Sequence, residues 1–223
     1  MYLFSFGLAL YNMGRLISGI NGAFEGKVGN VVGSSWKGIP YIKSAYKKRT
    51  KKVSAKELAN RKKFAMAQEW LKPLLPFVRE GYKGFSPTVE GYLAAKSYLL
   101  HNCFTGIAPD WQIDPALMKV SYGNLPLPGD ITVEQANTST LQFNWNGSDV
   151  AGTSRQDQVM LLAYDLNNQT AFYNLTGQFR STGTDKLAVN GSAGLSYQIY
   201  LAFTAADRSR QSESVYLGEW KMS

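Results

Sequence analysis

The sequence predicts an α+β protein: an N-terminal Gly-rich β-hairpin segment and two helices, followed by an all-β sandwich of about seven strands. Between Ser18 and Lys43, β-branched and aromatic residues alternate with glycines, a pattern typical of short strands and tight turns. Good helix formers make up the run Ala55–Lys72, and a second helical stretch is expected from about Ser86 to Asn102. From Lys119 onward, short alternating runs separated by Gly, Asn, Asp and Ser favour a sandwich.

The Gly-rich segment is expected to form strands that approach another backbone closely. Lys37-Gly38 is a plausible hairpin turn, and Pro40 places the following strand at a sheet edge or begins it, because proline donates no ladder hydrogen bond. Glycines repeated at this density permit close contact with a neighbouring chain or within a bent sheet. The candidate assembly residues are Gly26, Val28, Gly29, Val32, Gly33, Trp36, Gly38 and Pro40.

Two helices are predicted after this segment. Ser54 and Glu57 have the spacing of a capping box, so the first helix should begin there and end before Pro73 and Pro76. Ser86-Pro87 predicts the start of a second helix, which continues to Asn102.

The C-terminal strands show side-chain alternation. Leu141, Phe143 and Trp145 share one parity and should face the core. A second row of the same kind consists of Tyr197, Ile199, Leu201 and Phe203.

Charge divides the chain into modules. Residues 1–12 form an apolar extension without the basic start of a secretory signal, and Met1 and Met13 both stay open as the native start. Residues 13–120 form a basic module and residues 121–223 the sandwich: Met1–Val120 carries 18 basic and 7 acidic residues, and the remainder carries 6 and 9. No apolar run is long enough to span a bilayer, and the compartment stays undetermined.

The sequence contains no recognisable catalytic or metal-binding pattern, so we expect no enzyme, cofactor, metal site or small-molecule substrate. His101 and Cys103 are the sole residues of their types, and two residues apart on a helix they do not face each other. Gly33 to Gly38 lacks the spacing of a nucleophile elbow. Asp110 and Asp114 stand beside prolines, as turn residues do.

A dense run of cations is the strongest polar signal. It could neutralise nucleic-acid phosphates, or it could contact an acidic face of a neighbouring copy, for which the acidic C-terminal half is a candidate. A merely solvated helix face is the third alternative. The residues are Lys43, Lys47, Lys48, Arg49, Lys51, Lys52, Lys56, Arg61, Lys62 and Lys63.

The string GKVGNVVGSSWKGIPYIK, from Gly26 to Lys43, resembles an uncharacterised bacterial family that carries a domain of unknown function. The resemblance runs along most of the chain from Met13. It implies no catalytic residue, because no activity is established for that family. The C-terminal part is loosely similar to fibronectin type III-like sandwiches, on strand count and Trp145.

Together these observations favour a non-catalytic structural protein that forms a homo-oligomer or filament, such as a phage-derived or surface-fibre component. Sequence-independent nucleic-acid binding through Lys43–Lys63 is the alternative. An extracellular carbohydrate-binding sandwich, with Tyr173 or Trp220 as exposed aromatics, is a second alternative.

Overall fold

The structure is a computed structural model that describes residues 14–16, 19, 22–48, 50–108, 110–190 and 194–222. The chain divides into two compact units, Met1–Lys52 and Val53–Ser223. Among the described helices, none has the length and apolar character needed to cross a membrane.

The N-terminal unit contains one antiparallel sheet with its strands in chain order. The strands are β1 (Arg15–Leu16), β2 (Phe24–Val28), β3 (Val31–Trp36) and β4 (Ile39–Ser44). The predicted turn at Lys37-Gly38 is confirmed: it joins β3 to β4, and both residues have positive φ, as a two-residue hairpin requires. The strand that contains Pro40 lies at the sheet edge, as predicted.

In the described part of the C-terminal unit, three helices come first: α1 (Ala55–Leu71), α2 (Leu75–Gly81) and α3 (Gly91–Asn102). Ser54 caps α1, because its side chain accepts a hydrogen bond from the Glu57 amide at 3.2 Å.

Two features of the helices differ from the prediction. The prolines at positions 73 and 76 do not end the helical region. A second helix, α2, begins at Leu75, and Pro76 lies in its first turn, where no amide donor is needed. In addition, α3 begins at Gly91 rather than near Ser86. The Ser86 hydroxyl accepts a hydrogen bond from the Thr88 amide and so forms a local turn instead of a helix cap.

The rest of the unit is β-structure, which confirms a mixed α+β fold with a β-rich C-terminal part. A short pair, β5 (Phe104–Thr105) with β6 (Gln112–Ile113), follows α3. Among the residues that the structure describes, seven further strands form two antiparallel sheets, ordered β11-β8-β7 and β10-β9-β12-β13. Their bounds are β7 (Thr132–Asn137), β8 (Thr140–Asn144), β9 (Gln158–Asp165), β10 (Thr170–Asn174), β11 (Thr184–Ala188), β12 (Ser196–Thr204) and β13 (Val215–Lys221).

The two sheets share a hydrophobic core. The rows that begin at Leu141 and Tyr197 are buried in it, as their parity predicted. Trp145 packs edge-on against Phe203 and donates a hydrogen bond from Nε1 to the Arg180 carbonyl oxygen at 2.8 Å. At the start of β12, the Tyr197 hydroxyl donates to the Asn190 carbonyl oxygen at 2.8 Å, an arrangement of the tyrosine-corner kind found in immunoglobulin-like sandwiches.

The central strands β9 and β12 are buried on both faces. Their odd-numbered residues face the sandwich core, whereas Met160, Leu162, Tyr164, Tyr200 and Ala202 pack in a second core with the helices. The helices are therefore one layer of the same unit. The boundary between the two compact units lies between Lys52 and Val53. The sequence predicts a boundary after Val120 instead, because the helices and the sandwich differ in charge. In the structure these two parts pack together in one unit.

Candidate functional site

The N-terminal sheet has almost no interior of its own. Among the described residues from 14 to 52, Gly33 alone is buried. Several large apolar side chains of this sheet stand exposed instead. A unit this small buries too little apolar surface to be stable alone, so its exposed faces are the natural candidates for binding.

Strand register assigns the side chains that pair between β2, β3 and β4 to a face, because directly paired residues point the same way. One face carries no charged residue, and we call it the charge-free face. Its members are Gly26, Val28, Val31, Gly33, Ser35, Pro40, Ile42 and Ser44. The other we call the basic face. Its members are Lys27, Val32, Ser34, Trp36, Ile39, Tyr41 and Lys43.

The charge-free face is apolar and open. Val28 is directly opposite Val31, and the side chains are 51% and 39% exposed. Ile42, opposite Gly33, is 65% exposed. The half-buried Phe24 lies over Gly33, beside a shallow cleft of about 280 Å³ that Pro40 and Ile42 also line.

The basic face combines cations with aromatic rings. Lys27, Val32 and Lys43 stand side by side on three adjacent strands. Trp36 and Tyr41 are diagonal neighbours on β3 and β4, and each is more than 40% exposed. The Lys37 Nζ lies 5.0 Å from the centre of the Trp36 ring. The Lys43 Nζ lies 5.8 Å from the centre of the Tyr41 ring.

The predicted assembly residues are divided by this arrangement. Gly26, Val28, Gly33 and Pro40 lie together on the charge-free face. Val32 and Trp36 lie on the basic face. The remaining two, Gly29 and Gly38, form the hairpin turns with positive φ. The sequence does contain a signal that separates the two faces. Residues at equal distances from the Lys37-Gly38 turn pair with each other, and alternate pairs point to opposite faces.

The predicted cation cluster is also divided, between the two compact units. Lys43, Lys47 and Lys48 belong to the N-terminal unit and are exposed, as are Lys51 and Lys52. Arg49 lies outside the described residues.

The other four cations stand on α1, in the C-terminal unit, where Lys56 and Lys62 are exposed. The Arg61 Nη2 donates a hydrogen bond to the Glu57 Oε1 at 2.7 Å and forms an ion pair with it. The Lys63 Nζ lies 4.7 Å and 4.9 Å from the ring centres of Phe104 and Trp111.

Net charge also differs between the two compact units. Residues 1–52 contain nine basic residues and one acidic residue, Glu25, whereas residues 53–223 contain fifteen of each. The entire excess of positive charge thus resides in the N-terminal unit. The C-terminal unit has no net charge.

Cys103, His101 and Asp114 all make contacts within the fold. Cys103 is fully buried, its Sγ lies 3.8 Å from the Met118 Sδ, and burial raises the pKa of its thiol to about 12. The His101 Nδ1 lies 2.7 Å from the Ser97 carbonyl oxygen, one turn earlier in α3. Asp114 accepts a hydrogen bond from the Ala116 amide in a turn. Within the described part of the chain, no group of three or more His, Cys, Asp or Glu residues could hold a metal ion.

The aromatic residues considered for carbohydrate binding do not form a common surface patch of stacked rings. Tyr173 on β10 is 38% exposed, whereas Trp220 on β13 packs partly into the sandwich core. A different aromatic group lines an apolar cleft of about 350 Å³ beside α3. Its rings, which the sequence did not single out, are Tyr82, Phe85, Tyr98 and Tyr122.

Residues 23–218 match the model of a family of unknown function, DUF6266. The chain belongs to this family. The predicted resemblance to an uncharacterised family is thereby confirmed, and the DUF6266 region includes β2, β3 and β4 with both faces of their sheet. It also includes the helices and nearly the whole sandwich. A search of curated proteins found no match.

Proposed function

We propose that this protein is a non-catalytic assembly protein that forms a homo-oligomer through the charge-free face of its N-terminal sheet. The observation that carries the proposal is the exposure of Val28, Val31 and Ile42 on a face without charge, in a unit whose described residues include one buried residue, Gly33. Covering that face would supply the hydrophobic burial that the unit lacks.

A second copy of the same face is the partner that its chemistry favours. Homo-oligomer interfaces are more apolar at their centres than other protein surfaces, and charged residues are depleted there. Two such sheets packed face to face would form a sandwich with a spacing of about 10 Å. Gly26 adds no side chain to this face, whereas Gly33 is already covered by Phe24.

Face packing is favoured over addition of a strand at the sheet edge. β4 is the edge strand, and its Pro40 has no amide to donate to an incoming strand. At the opposite edge, β1 has two residues, too few for a stable added ladder. The faces of the sheet therefore offer the larger surface.

A non-catalytic role is supported by the places of His101 and Cys103, the sole histidine and cysteine. The His101 Nδ1 is within hydrogen-bonding distance of a backbone carbonyl oxygen of its own helix. The thiol of Cys103 is buried and stays protonated at neutral pH, because its pKa is raised.

Salt gives this association a characteristic signature. Each N-terminal unit carries an excess of eight positive charges, so two copies repel each other at low ionic strength. The contact itself is apolar. Added salt screens the repulsion and leaves the hydrophobic term, so association should strengthen as the salt concentration rises.

Sedimentation velocity over a protein and salt series tests the proposal, with a matched pair of variants on one strand. Ile42→Lys places a charge on the charge-free face, and Ile39→Lys places the same charge on the basic face at a residue of equal exposure, 63% against 65%. We expect Ile42→Lys to be monomeric and Ile39→Lys to associate as the unaltered chain does. A strictly monomeric unaltered protein, or equal behaviour of the two variants, contradicts the proposal.

A further inference from the structure

The basic face of the N-terminal sheet points to a second partner that the charge-free face cannot accommodate. Its aromatic rings, Trp36 and Tyr41, are exposed and adjacent on neighbouring strands. Lys27 and Lys43 stand in the row beside Tyr41, and Lys37 lies against the ring of Trp36. Adjacent exposed rings rimmed by lysines form a contiguous apolar patch, and such patches mark binding sites more often than single exposed side chains do.

We propose that the basic face binds single-stranded nucleic acid, with bases stacked on Trp36 and Tyr41 and phosphates placed against Lys27 and Lys43. Proteins that bind single strands without sequence preference combine a cationic track for the backbone with aromatic platforms for successive bases. A four-stranded sheet that presents aromatic side chains on one face is a known arrangement for this task.

The charges of the chain favour an anionic partner from outside. The N-terminal unit has one acidic residue, Glu25, against nine basic ones. The C-terminal unit has no net charge, so its overall attraction to a neighbouring copy's basic face is weaker than that of a polyanion such as nucleic acid. Lys47 and Lys48 extend the exposed cations beyond Lys43 and so lengthen the track along which phosphates could lie.

A duplex is a poorer fit for this surface than a single strand. In a duplex the base faces are stacked within the helix and cannot reach Trp36 or Tyr41, so a duplex would use the lysines alone. Preference for the single strand is therefore the property that separates stacking on these rings from simple charge attraction.

The inference is independent of the proposed assembly, because the two use opposite faces and respond oppositely to salt. Phosphate binding releases counterions, so affinity falls as salt rises, with a logarithmic slope of about −0.7 for each phosphate contacted on a single strand. Assembly through an apolar contact strengthens with salt. The direction of the salt dependence therefore distinguishes self-association from nucleic-acid binding. Either proposal can be contradicted while the other stands.

Fluorescence anisotropy of the full chain with a labelled oligothymidylate of about 16 nucleotides tests the inference. The comparison is a duplex of equal length, from about 50 to 200 mM salt. We expect preference for the single strand, and a loss of about tenfold or more in affinity for Trp36→Ala and for Tyr41→Ala. Tyr173→Ala, which removes an equally exposed tyrosine from the sandwich, is the matched control and should bind normally.

Two further variants separate binding from folding. Trp36→Phe retains an aromatic platform and should keep most of the affinity, which a merely misfolded sheet would not allow. Lys27→Ser combined with Lys43→Ser should lower the magnitude of the salt slope by about 1.4, the amount expected for two phosphates.

Four outcomes would overturn the inference. They are no anisotropy change at low salt, equal affinity for single strand and duplex, unaltered affinity in both alanine variants, and binding to phosphatidylserine vesicles or polyglutamate without binding to the oligonucleotide.

Discussion

Gly33 lies so close beneath Phe24 that a Cβ atom at position 33 would overlap the Phe24 carbonyl oxygen and lie 2.7 Å from its ring carbon Cδ2. The overlap involves the backbone of Phe24, which pairs with Leu16 and cannot move aside without disturbing the pairing of β1 with β2. The absence of a side chain at this one position therefore lets Phe24 settle onto the charge-free face.

Gly33→Ala should accordingly disrupt the N-terminal sheet, at a cost of about 1–3 kcal/mol typical of overpacking. Hydrogen exchange should show lost protection in β2, β3 and β4 and unaltered protection in the sandwich, since the two units are separately compact. Gly29→Asn is the control, because a Cβ there contacts nothing and asparagine tolerates its positive φ of 57°. Equal protection in both variants would show that the close approach is unimportant.

Asp157→Asn should destabilise the sandwich by about 3–5 kcal/mol, the usual result of leaving one partner of a buried ion pair. Arg180 is fully buried with its Nε 3.4 Å from the Asp157 Oδ2, and burial lowers the pKa of its guanidinium while Asp157 opposes that change. Urea denaturation measures the loss. Asp149→Asn, at an exposed ion pair with Arg155, is the control and should change stability little.

Cys103 should resist modification by a thiol reagent at pH 8 in the folded protein and react at once in denaturant. Burial raises the pKa of the thiol from 9.0 to about 12, and nearby Asp114 adds to the effect. Because the folded state holds the proton more tightly, this group's contribution to stability is complete below about pH 9 and declines as pH rises toward 12. Rapid labelling of the folded chain at pH 8 would contradict the burial described.

Ser54→Ala should loosen the start of α1 at a cost of about 1 kcal/mol, because the Glu57 amide loses its acceptor. The buried residues of α1 lie in its last turns, at Ala67, Trp70 and Leu71, so packing does little to hold the first turn. Hydrogen exchange near residues 55–58 reports the change. Ser54→Asp keeps a capping oxygen and should retain the protection that the alanine variant loses.

Local patterns in the sequence predicted the sheets well. Alternation placed Leu141, Phe143 and Trp145 in the sandwich core, and turn chemistry placed the Lys37-Gly38 hairpin. Both depend on neighbouring residues alone, which is why they could be predicted.

Long-range packing could not be deduced in the same way. The run Val159–Tyr164 is apolar at every position, which indicates burial on both faces but does not say what covers the second face. The covering elements are helices, and charge counting had assigned those helices to another module. Similarly, the sequence predicts that the first helix ends before Pro76, but does not indicate that Pro76 lies in the first turn of another helix, α2.

The double burial of β9 and β12 has a consequence for dividing the chain. Cutting the chain after Val120 would remove the helices that cover one face of the central sheet. The isolated C-terminal half would then expose an apolar surface formed by Met160, Leu162, Tyr164, Tyr200 and Ala202. That fragment would have the strand order of a free-standing sandwich without its solubility, and it would be expected to aggregate. A cut at Lys52–Val53 leaves that cover in place.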